Sequence, residues 1–304
     1  MTYTQWLEEW LENYVRPSVK TRTYERYRTL AELHIATNLG EREIDGITPL
    51  CLQRFVTYLL QEGNRKTGNG LSPNTVNTVI SVLQGSMRTA CIAGLAHKNP
   101  AEKIKRPRLA EKPVECFTIT EQKRIEEAVF ASKKDKLFGI VLCLYTGLRI
   151  GELLALKWQN GNISKGILVV SASCHDGKSG LVFETPKTAS SRREIPLPKQ
   201  LIPLLKAAHK KNSSAFVVSE RQEPICVRSY QRSFELLLKR LKIPHRGFHA
   251  LRHTFATRAL ECGMDVKTLS EILGHKNPSV TLTRYAHSLL EHKKEMMNRL
   301  GKLL

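Results

Sequence analysis

The sequence predicts a mainly α-helical protein with a small antiparallel β-sheet, an α+β fold, and three observations lead to this prediction. Apolar residues recur at helical spacing through residues 1–96, where hydroxyl, proline and glycine residues stand at the expected helix ends. A basic segment with three prolines follows over residues 97–113. Residues 114–304 then mix helical patterns with short runs of strand character. We therefore expect two bodies of structure joined by a linker.

The first body is expected to contain four helices, over residues 6–14, 21–38, 49–63 and 73–94. The last two helices each begin with a hydroxyl residue followed by proline, Thr48-Pro49 and Ser72-Pro73. This is the usual order of an N-cap and a first helical position. The apolar residues of these helices are core positions, and we assign them no chemistry.

Residues 97–113 differ in composition from the helices before them. Their prolines preclude a continuous helix, and lysine and arginine outnumber glutamate. This composition predicts a linker that can lie along a phosphate backbone, although a solvated surface loop is an equal alternative for any single residue. The candidate DNA contacts in this linker are Lys103, Lys105, Arg106 and Arg108.

The second body is expected to contain both strands and helices. The predicted strands cover residues 167–171, 181–185 and 193–196, with polar turns between them. The predicted helices cover residues 120–129, 137–145, 201–210, 227–241, 249–262, 266–273 and 278–285. Thr120 is the predicted N-cap of the first of these helices, and Gly147 is the predicted end of the second.

The formal net charge of the chain is +20. A surplus of lysine and arginine of this size indicates a polyanionic partner, whose binding weakens steeply with salt. The seven cysteines form no Cys-x-x-Cys pair, which argues against a zinc ribbon and a disulfide framework and favours reduced thiols. No apolar run approaches the roughly 20 residues of a membrane span, and the amino terminus is unlike a secretory signal. We expect a cytoplasmic protein without membrane contact.

The segment His249-Ala-Leu-Arg252-His253 precedes Leu-Gly-His275 and then Tyr285. Each of these side chains can act on a phosphodiester without a metal. A tyrosine hydroxyl, with a pKa of about 10, is a poor nucleophile at neutral pH unless a base and cations assist it. Histidine can accept the phenol proton, and the planar fork of arginine matches phosphate oxygens. The set suggests a protein that cuts nucleic acid by attaching itself to the phosphate.

A metal site at these histidines has to be weighed, because His249 and His253 lie four residues apart on one helical face. Pro244 and Gly247 interrupt any helix that would add His245. No HExxH glutamate or clustered aspartate completes a site. We therefore expect no metal and no other cofactor, and we expect His253 to be a packing residue.

Two further cations are candidates on weaker grounds. Arg149 stands between Gly147 and Gly151 after an apolar helix, and glycine lets the backbone approach a ligand closely. A surface arginine in a turn between helices is the alternative. Lys187 is expected near the turn of a hairpin, where a lysine is usually solvated. It could also act as a mobile general acid, because the pKa of an ammonium group changes readily near other cations.

The chain resembles the tyrosine recombinases, also called the phage integrase family, over nearly its whole length. The segments that carry the resemblance are TGLRIGEL, TPKTASSRREIPL, HALRHTFAT and LGHKNPSVTLTRYAH. Residues 1–96 resemble the helical, SAM-like core-binding domain of integrases from phages and integrative conjugative elements. Many of those integrases carry a further N-terminal arm-binding domain, so this chain is either a short member or lacks that domain.

The resemblance implies a catalytic site made of Arg149, Lys187, His249, Arg252, His275 and Tyr285. It also implies that Glu152 supports this site from behind. Tyr285 would attack the scissile phosphate and form a 3′-phosphotyrosyl link. His249 would accept the phenol proton, and Lys187 would protonate the leaving 5′-oxygen. The two arginines and His275 would hold the non-bridging oxygens.

The resemblance also implies a domain plan and partners. Residues 1–96 would be the core-binding domain, 97–113 the interdomain linker and 114–304 the catalytic domain with its C-terminal tail. The two domains would close on double-stranded DNA as a clamp, at specific recombination sites and as a homo-tetramer. An excision or directionality factor is a further candidate partner. The apolar tail after Tyr285 would pack on a neighbouring protomer or on its own domain, in a bacterial, nucleoid-associated protein.

The expected function is site-specific recombination that integrates or excises a mobile element, and rival functions stay open. A type IB topoisomerase would use similar chemistry but reseal the same strand, and a Xer-type recombinase would resolve chromosome dimers. A DNA-binding regulator without catalytic activity is disfavoured because the residue set is complete. A metal-dependent relaxase is disfavoured because its histidine-pair metal motif is missing.

Overall fold

A computed structural model describes residues 1–109, 114–177, 180–184, 192–220 and 222–275, together with residues 277, 279, 297, 298 and 301. The chain divides into two compact units, Met1–Lys112 and Pro113–Leu304, and each has its own apolar core. Lys187 and Tyr285 lie outside the described ranges, and so does most of the helix predicted over residues 278–285.

The first unit is built from helices. These are α1 (Tyr3–Trp10), α2 (Thr21–Leu30), α3 (Thr37–Leu39), α4 (Pro49–Gln61) and α5 (Pro73–Ile92). Two π-helical turns, Leu11–Val15 and Ala31–Ala36, extend α1 and α2. The helix predicted over residues 21–38 is therefore present along that span, with a wider turn inside it.

The predicted start signals of α4 and α5 are confirmed. The hydroxyl oxygen of Thr48 accepts a hydrogen bond from the backbone N–H of Cys51 at 3.2 Å, and that of Ser72 accepts one from Thr75 at 3.2 Å. A proline follows each cap, at the first helical position, where an N–H would have no partner within the helix.

Residues 97–109 pack within the first unit. Ile104 is buried in its core. The guanidinium group of Arg106 lies along α5, where it donates to the carbonyl oxygen of Asn77 at 3.1 Å and to Oε1 of Gln84 at 2.7 Å. Apolar and polar contacts thus hold this basic segment against α5.

Seven α-helices lie within the described residues 114–275 of the second unit. These are α6 (Ile119–Phe130), α7 (Phe138–Thr146), α8 (Ile150–Leu154), α9 (Leu201–Lys211), α10 (Val227–Arg240), α11 (His249–Glu261) and α12 (Val266–Leu273). The middle of α7 is buried without interruption from Gly139 to Leu144, so this helix forms the centre of the core.

The N-cap predicted for α6 is wrong, because Thr118 holds that position instead of Thr120. The hydroxyl of Thr118 accepts the backbone N–H of Glu121 at 3.1 Å, and the carboxylate of Glu121 accepts the backbone N–H of Thr118 at 2.9 Å. Threonine with glutamate three residues later forms this reciprocal capping box, whereas Lys123 stands three residues after Thr120.

Small antiparallel sheets complete the described part of the second unit. The strands are β1 (Gly161–Asn162), β2 (Ile167–Val170), β3 (Ser173–Gly177), β4 (Gly180–Glu184), β5 (Arg193–Pro196), β6 (Ser219–Glu220) and β7 (Glu223–Pro224). The order in the largest sheet is β1–β2–β5, with Val170 opposite Arg193, while β3 pairs with β4 and β6 with β7. The three predicted strands are present as β2, β4 and β5. The polar strand β3 has too few β-branched or aromatic residues to be recognised from sequence.

The start of the second unit is fixed on α11. The backbone N–H of Phe117 donates to the hydroxyl oxygen of Thr254 at 2.8 Å, and the carbonyl oxygen of Phe117 accepts from Arg258 at 2.9 Å. The Phe117 ring is fully buried and lies edge-on to Phe234, with the guanidinium of Arg246 5.0 Å above its centre. One residue therefore joins the incoming chain to two positions of α11, one helical turn apart.

The architecture confirms the predicted fold class, which is mainly α-helical with small antiparallel sheets. Across the ranges that the structure describes, no helix is both long enough and apolar enough to cross a membrane.

Candidate active site

The C-terminal end of α12 brings together three of the predicted catalytic residues. α12 ends at Leu273, and Gly274 follows it with a positive φ of 65°. Arg149 reaches this helix end from the start of α8, and Arg252 reaches it from α11. His275 comes directly after the glycine.

Carbonyl groups at the end of α12 hold both guanidinium groups. The last carbonyls of a helix have no partner within the helix, and they carry the negative end of its dipole. The carbonyl oxygen of Leu273 accepts from Nη2 of Arg252 at 2.7 Å and from Nη1 of Arg149 at 3.4 Å. The carbonyl oxygen of Gly274 accepts from Nη2 of Arg149 at 3.5 Å. Two arginines that are far apart in sequence therefore meet at one helix end.

The turn that presents Arg149 requires a glycine. Gly147 ends α7 with a φ of 64°, in the left-handed region that L side chains rarely adopt. A Cβ atom at Gly147 would lie 2.6 Å from Cδ1 of Phe255 and 2.7 Å from Cδ2 of Leu273. Glycine has no Cβ, so the chain can reverse here between α7 and α8. Arg149 then becomes the N-cap residue of α8.

Arg252 is 2% exposed, and its charge is held by hydrogen bonds. Nη1 donates to the carbonyl oxygen of Gly147 at 2.7 Å, in addition to the bond from Nη2 to Leu273. A buried charge is stable only when such partners replace water. The guanidinium plane of Arg252 is therefore fixed by two carbonyl groups from two different helix ends.

His275 contacts the same arginine. Nη2 of Arg252 lies 2.9 Å from Nε2 of His275. A guanidinium group can only donate, so Nε2 is the acceptor and the proton of the neutral ring is on Nδ1. Arg252 and His275 thus form a pair whose shared hydrogen bond lies beside Arg149.

Glu152 balances part of this positive charge. Its Oε1 accepts from Nη1 of Arg149 at 2.8 Å, and its Oε2 accepts the backbone N–H of Arg149 at 2.9 Å. Arg193 approaches the same carboxylate with both Nη atoms, at 3.1 and 2.9 Å. Burial, the largest single effect, raises the pKa of Glu152, but the hydrogen bonds and charges of Arg193 and Arg149 outweigh it and lower the pKa to about 2. The carboxylate therefore stays ionised at neutral pH.

Arg193 was not among the site residues predicted from the sequence. It is 8% exposed, and its Nε donates to the carbonyl oxygen of Ile272 near the end of α12. A signal was present, because strand alternation places Arg193 on the same inward face as the buried Ile195. Arginine at an inward strand position is unusual unless it is paired with an acid, and Arg193 is paired with Glu152.

His249 is the first residue of α11 and is exposed. It lies three residues before Arg252 on the same helix, at a spacing that makes them neighbours on its surface. The ring of His249 packs edge-on against the half-buried ring of His253, with the centroids 4.6 Å apart. Among the residues that the structure describes, no three histidine, cysteine, aspartate or glutamate side chains are grouped to hold a metal ion.

The candidate DNA contacts of the basic segment all belong to the first unit and are exposed: Lys103, Lys105, Arg106 and Arg108. Their surroundings differ, since the guanidinium group of Arg106 donates hydrogen bonds along α5. The backbone N–H of Lys105 donates to Oε1 of Gln53 on α4 at 3.1 Å.

Known sequences resemble the chain along both units. The family described as the phage integrase family matches residues 116–292, and the phage integrase N-terminal SAM-like domain matches residues 2–60. A XerC-like tyrosine recombinase of Caldanaerobacter subterraneus subsp. tengcongensis is 31% identical, over 98% of this chain and 82% of the relative. The transposase from transposon Tn916 of Enterococcus faecalis is 28% identical, over 96% of this chain and 76% of the relative.

Solved structures share the fold. An integrase of transposon Tn1549, in complex with a circular intermediate DNA, is similar with a TM-score of 0.84 at 24% identity, over 99% of each chain. A lambda integrase tetramer bound to a Holliday junction is similar with a TM-score of 0.71 at 21% identity, over 91% of this chain and 78% of that chain. Because the family match spans more than half of the sequence and a relative at 31% identity aligns with nearly all of it, the chain belongs to the phage integrase family of tyrosine site-specific recombinases.

Proposed function

We propose that this recombinase integrates or excises a mobile element by cleaving and rejoining DNA through a covalent 3′-phosphotyrosyl link to Tyr285. The observation that supports this proposal is the meeting of Arg149, Arg252 and His275 at the end of α12. Three hydrogen-bonding side chains from three elements meet in one small region, an arrangement suited to binding a single phosphate group.

The charge of the cluster suits a phosphate reaction. The three guanidinium groups of Arg149, Arg193 and Arg252 and the carboxylate of Glu152 together carry a net charge of two positive units. A phosphodiester carries one negative charge, and attack by a phenolate oxygen raises this to two in the pentacoordinate transition state. The cluster therefore stabilises the transition state more than the bound substrate, and this difference accelerates the reaction.

The non-bridging oxygens are assigned to Arg149, Arg252 and His275. A phosphate oxygen that enters between Arg252 and His275 replaces their mutual hydrogen bond of 2.9 Å. The oxygen then accepts from the guanidinium group, and from His275 once the ring proton is on Nε2. Phosphate binding thereby exchanges one internal hydrogen bond for two charge-assisted bonds.

The proton transfers are assigned to His249 and Lys187. The phenol oxygen of Tyr285 bonds to phosphorus while its proton passes to His249. The bond from phosphorus to the 5′-oxygen breaks, and Lys187 donates the proton that makes this oxygen a free hydroxyl. The phosphotyrosyl ester keeps the bond energy, so attack by the 5′-hydroxyl of a partner duplex reverses the step without a nucleotide cofactor.

The domain roles and partners follow the same proposal. Residues 1–96 bind core DNA, 97–113 link the domains and contact the backbone, and 114–304 carry the chemistry. The net charge of +20 supports a DNA partner. Exchange between two duplexes needs four protomers at a specific site, and an excision or directionality factor would bias the outcome.

A trapping experiment on duplexes of randomised sequence tests this function and selects the target sequence at the same time. The protein is incubated with nicked duplexes, in which the short cleaved strand diffuses away and leaves the adduct trapped. We expect SDS-resistant adducts enriched for one core sequence and joined to Tyr285, formed equally well in EDTA. Tyr285→Phe should bind DNA and form none, whereas Tyr145→Phe, an exposed tyrosine of α7, should match the wild type.

Two results would contradict the proposal. Adducts that persist in Tyr285→Phe would show that Tyr285 is not the nucleophile. A wild type that forms no adducts would refute the proposed function. Strand exchange between two differently labelled copies of the selected duplex separates recombination from resealing of the same strand.

A further inference from the structure

Arg193 connects three elements of the second unit through one guanidinium group. It is the first residue of β5, and its two Nη atoms donate to the two carboxylate oxygens of Glu152 on α8. Its Nε donates to the carbonyl oxygen of Ile272 on α12. The Arg193 side chain is 6% exposed, so its hydrogen bonds are shielded from water. All three nitrogen atoms of the guanidinium group donate hydrogen bonds in a fixed plane, which the single ammonium group of a lysine could not reproduce.

The side chain of Arg193 also packs against the turn that precedes His275. A Cβ atom at Gly274 would lie 3.0 Å from both Cδ and Nη1 of Arg193. The left-handed turn at Gly274 and the Arg193 side chain therefore define each other's positions. A shift of Arg193 would displace the turn at Gly274, and with it His275, the next residue.

Glu152 is the second link. It accepts from Arg193 and from Arg149 at the same time, so each arginine limits how strongly the carboxylate attracts the other. Without Arg193, the full charge of Glu152 would act on Arg149 and compete with a phosphate for that guanidinium group. The net positive charge of the cluster would also fall by one unit.

We infer that Arg193 is a positioning residue for strand cleavage. It orients the carboxylate of Glu152 and the end of α12, and through them the groups that would hold the scissile phosphate, without touching the phosphate itself. This inference rests on the proposed function, and it adds a residue that lies behind the phosphate site.

The test compares Arg193→Gln and Arg193→Lys with Arg192→Gln, which removes the same charge from the adjacent, exposed position. Cleavage rate constants are measured at saturating DNA on the selected nicked duplex, with either the natural scissile phosphate or a methylphosphonate. The methyl group replaces a charged non-bridging oxygen, so the pentacoordinate state carries one negative charge instead of two and depends less on the arginine cluster.

On the natural phosphate we expect Arg193→Gln to lose about 100-fold in rate, comparable to the loss of one oxyanion donor. Arg193→Lys should lose about 10-fold, because it keeps the charge but not the bidentate fork. Both losses should be clearly smaller on the methylphosphonate, and DNA affinity should stay close to that of the wild type. Arg192→Gln should cleave both substrates as the wild type does.

The inference is overturned if Arg193→Gln cleaves the natural phosphate at the wild-type rate. It is equally overturned if both Arg193 variants lose the same factor on both substrates, since that pattern indicates a general loss of structure. Failure of the proposed function is distinguishable, because the wild type would then cleave neither substrate.

Discussion

Nη1 of Arg252 donates a hydrogen bond to the carbonyl oxygen of Gly147 at 2.7 Å, across 105 residues of sequence. The glycine that reverses the chain toward Arg149 therefore also supports the second arginine of the cluster. The left-handed conformation of Gly147 directs the chain toward Arg149, and its carbonyl oxygen holds Arg252. The positions of both guanidinium groups therefore depend on this one turn.

Gly147→Ala should destabilise the second unit. Alanine must adopt a φ of 64°, and its Cβ would meet Phe255 and Leu273 at 2.6 and 2.7 Å. We expect the free energy of unfolding to fall by about 2 to 4 kcal/mol, from backbone strain and overpacking together. Urea titration followed by circular dichroism measures this loss. Gly247→Ala is the control, because a Cβ there has no heavy atom within 4 Å, and an equal loss in both variants would contradict the prediction.

The stability contributed by Glu152 should depend on pH. Its pKa is lowered from 4.5 to about 2 in the folded protein, so its ionisation favours folding above the unfolded value and this benefit disappears as pH falls from 4.5 toward 2. Near neutral pH, Glu152→Gln should reduce the free energy of unfolding by an amount on the order of 3 kcal/mol. Urea titrations between about pH 6 and about pH 3 measure the difference from the wild type, which should shrink toward acid.

A matched variant isolates the Glu152 effect from a general change of charge. Glu194→Gln removes an exposed carboxylate next to Arg193 on the same strand. Its stability difference from the wild type should be small at every pH. A Glu152→Gln difference that is constant over the same pH range would show that ionisation of Glu152 does not stabilise the fold.

Asp176→Ala should weaken the start of α10. The N-cap residue of that helix, Cys226, provides no side-chain hydrogen bond, and Asp176 on β3 accepts the backbone N–H groups of Val227 and Arg228 at 2.8 and 2.9 Å instead. Loss of this remote cap should cost about 1 kcal/mol of unfolding free energy, measured by urea titration. Asp135→Ala, at an exposed aspartate of the same unit, serves as the comparison. Equal effects at both positions would argue against a capping role.

Arg106 and Arg108 should differ although both are exposed. Arg108→Gln should weaken DNA binding and make the slope of log K against log salt shallower by about 0.9, the value for one lost phosphate contact. Arg106→Gln should instead lower the urea midpoint of the first unit, because its guanidinium holds residues 97–109 on α5. Fluorescence anisotropy at several salt concentrations and urea titration separate the two effects. Identical behaviour of the two variants in both assays would refute this division.

Much of the fold was predictable because it depends on local signals. Thr48-Pro49 and Ser72-Pro73 are short-range start signals, and Gly147 is a short-range stop signal, so the helices that they bound were expected. Strand β3 was not expected, because its sequence Ser-Cys-His-Asp-Gly has little intrinsic strand preference and its pairing with β4 decides its structure.

The candidate site likewise combines residues that the sequence identifies with one that only the folded structure identifies. Arg149, Arg252 and His275 stand in recognisable segments, and the structure places them beside one another at the end of α12. The catalytic roles of these residues stay predictions, as do those of Lys187 and Tyr285, which lie outside the described residues. Arg193 could not be assigned from sequence alone, since its partners on α8 and α12 become neighbours only through tertiary packing.

The anchoring of Phe117 has a mechanical consequence. Its N–H and carbonyl groups are both bonded to α11, at Thr254 and Arg258, so the chain that enters the second unit is attached directly to that helix. α11 also carries His249 and Arg252. A pull on the chain that enters the second unit would thus act directly on the helix of these two residues, as well as on Phe234 of α10, against which the Phe117 ring packs.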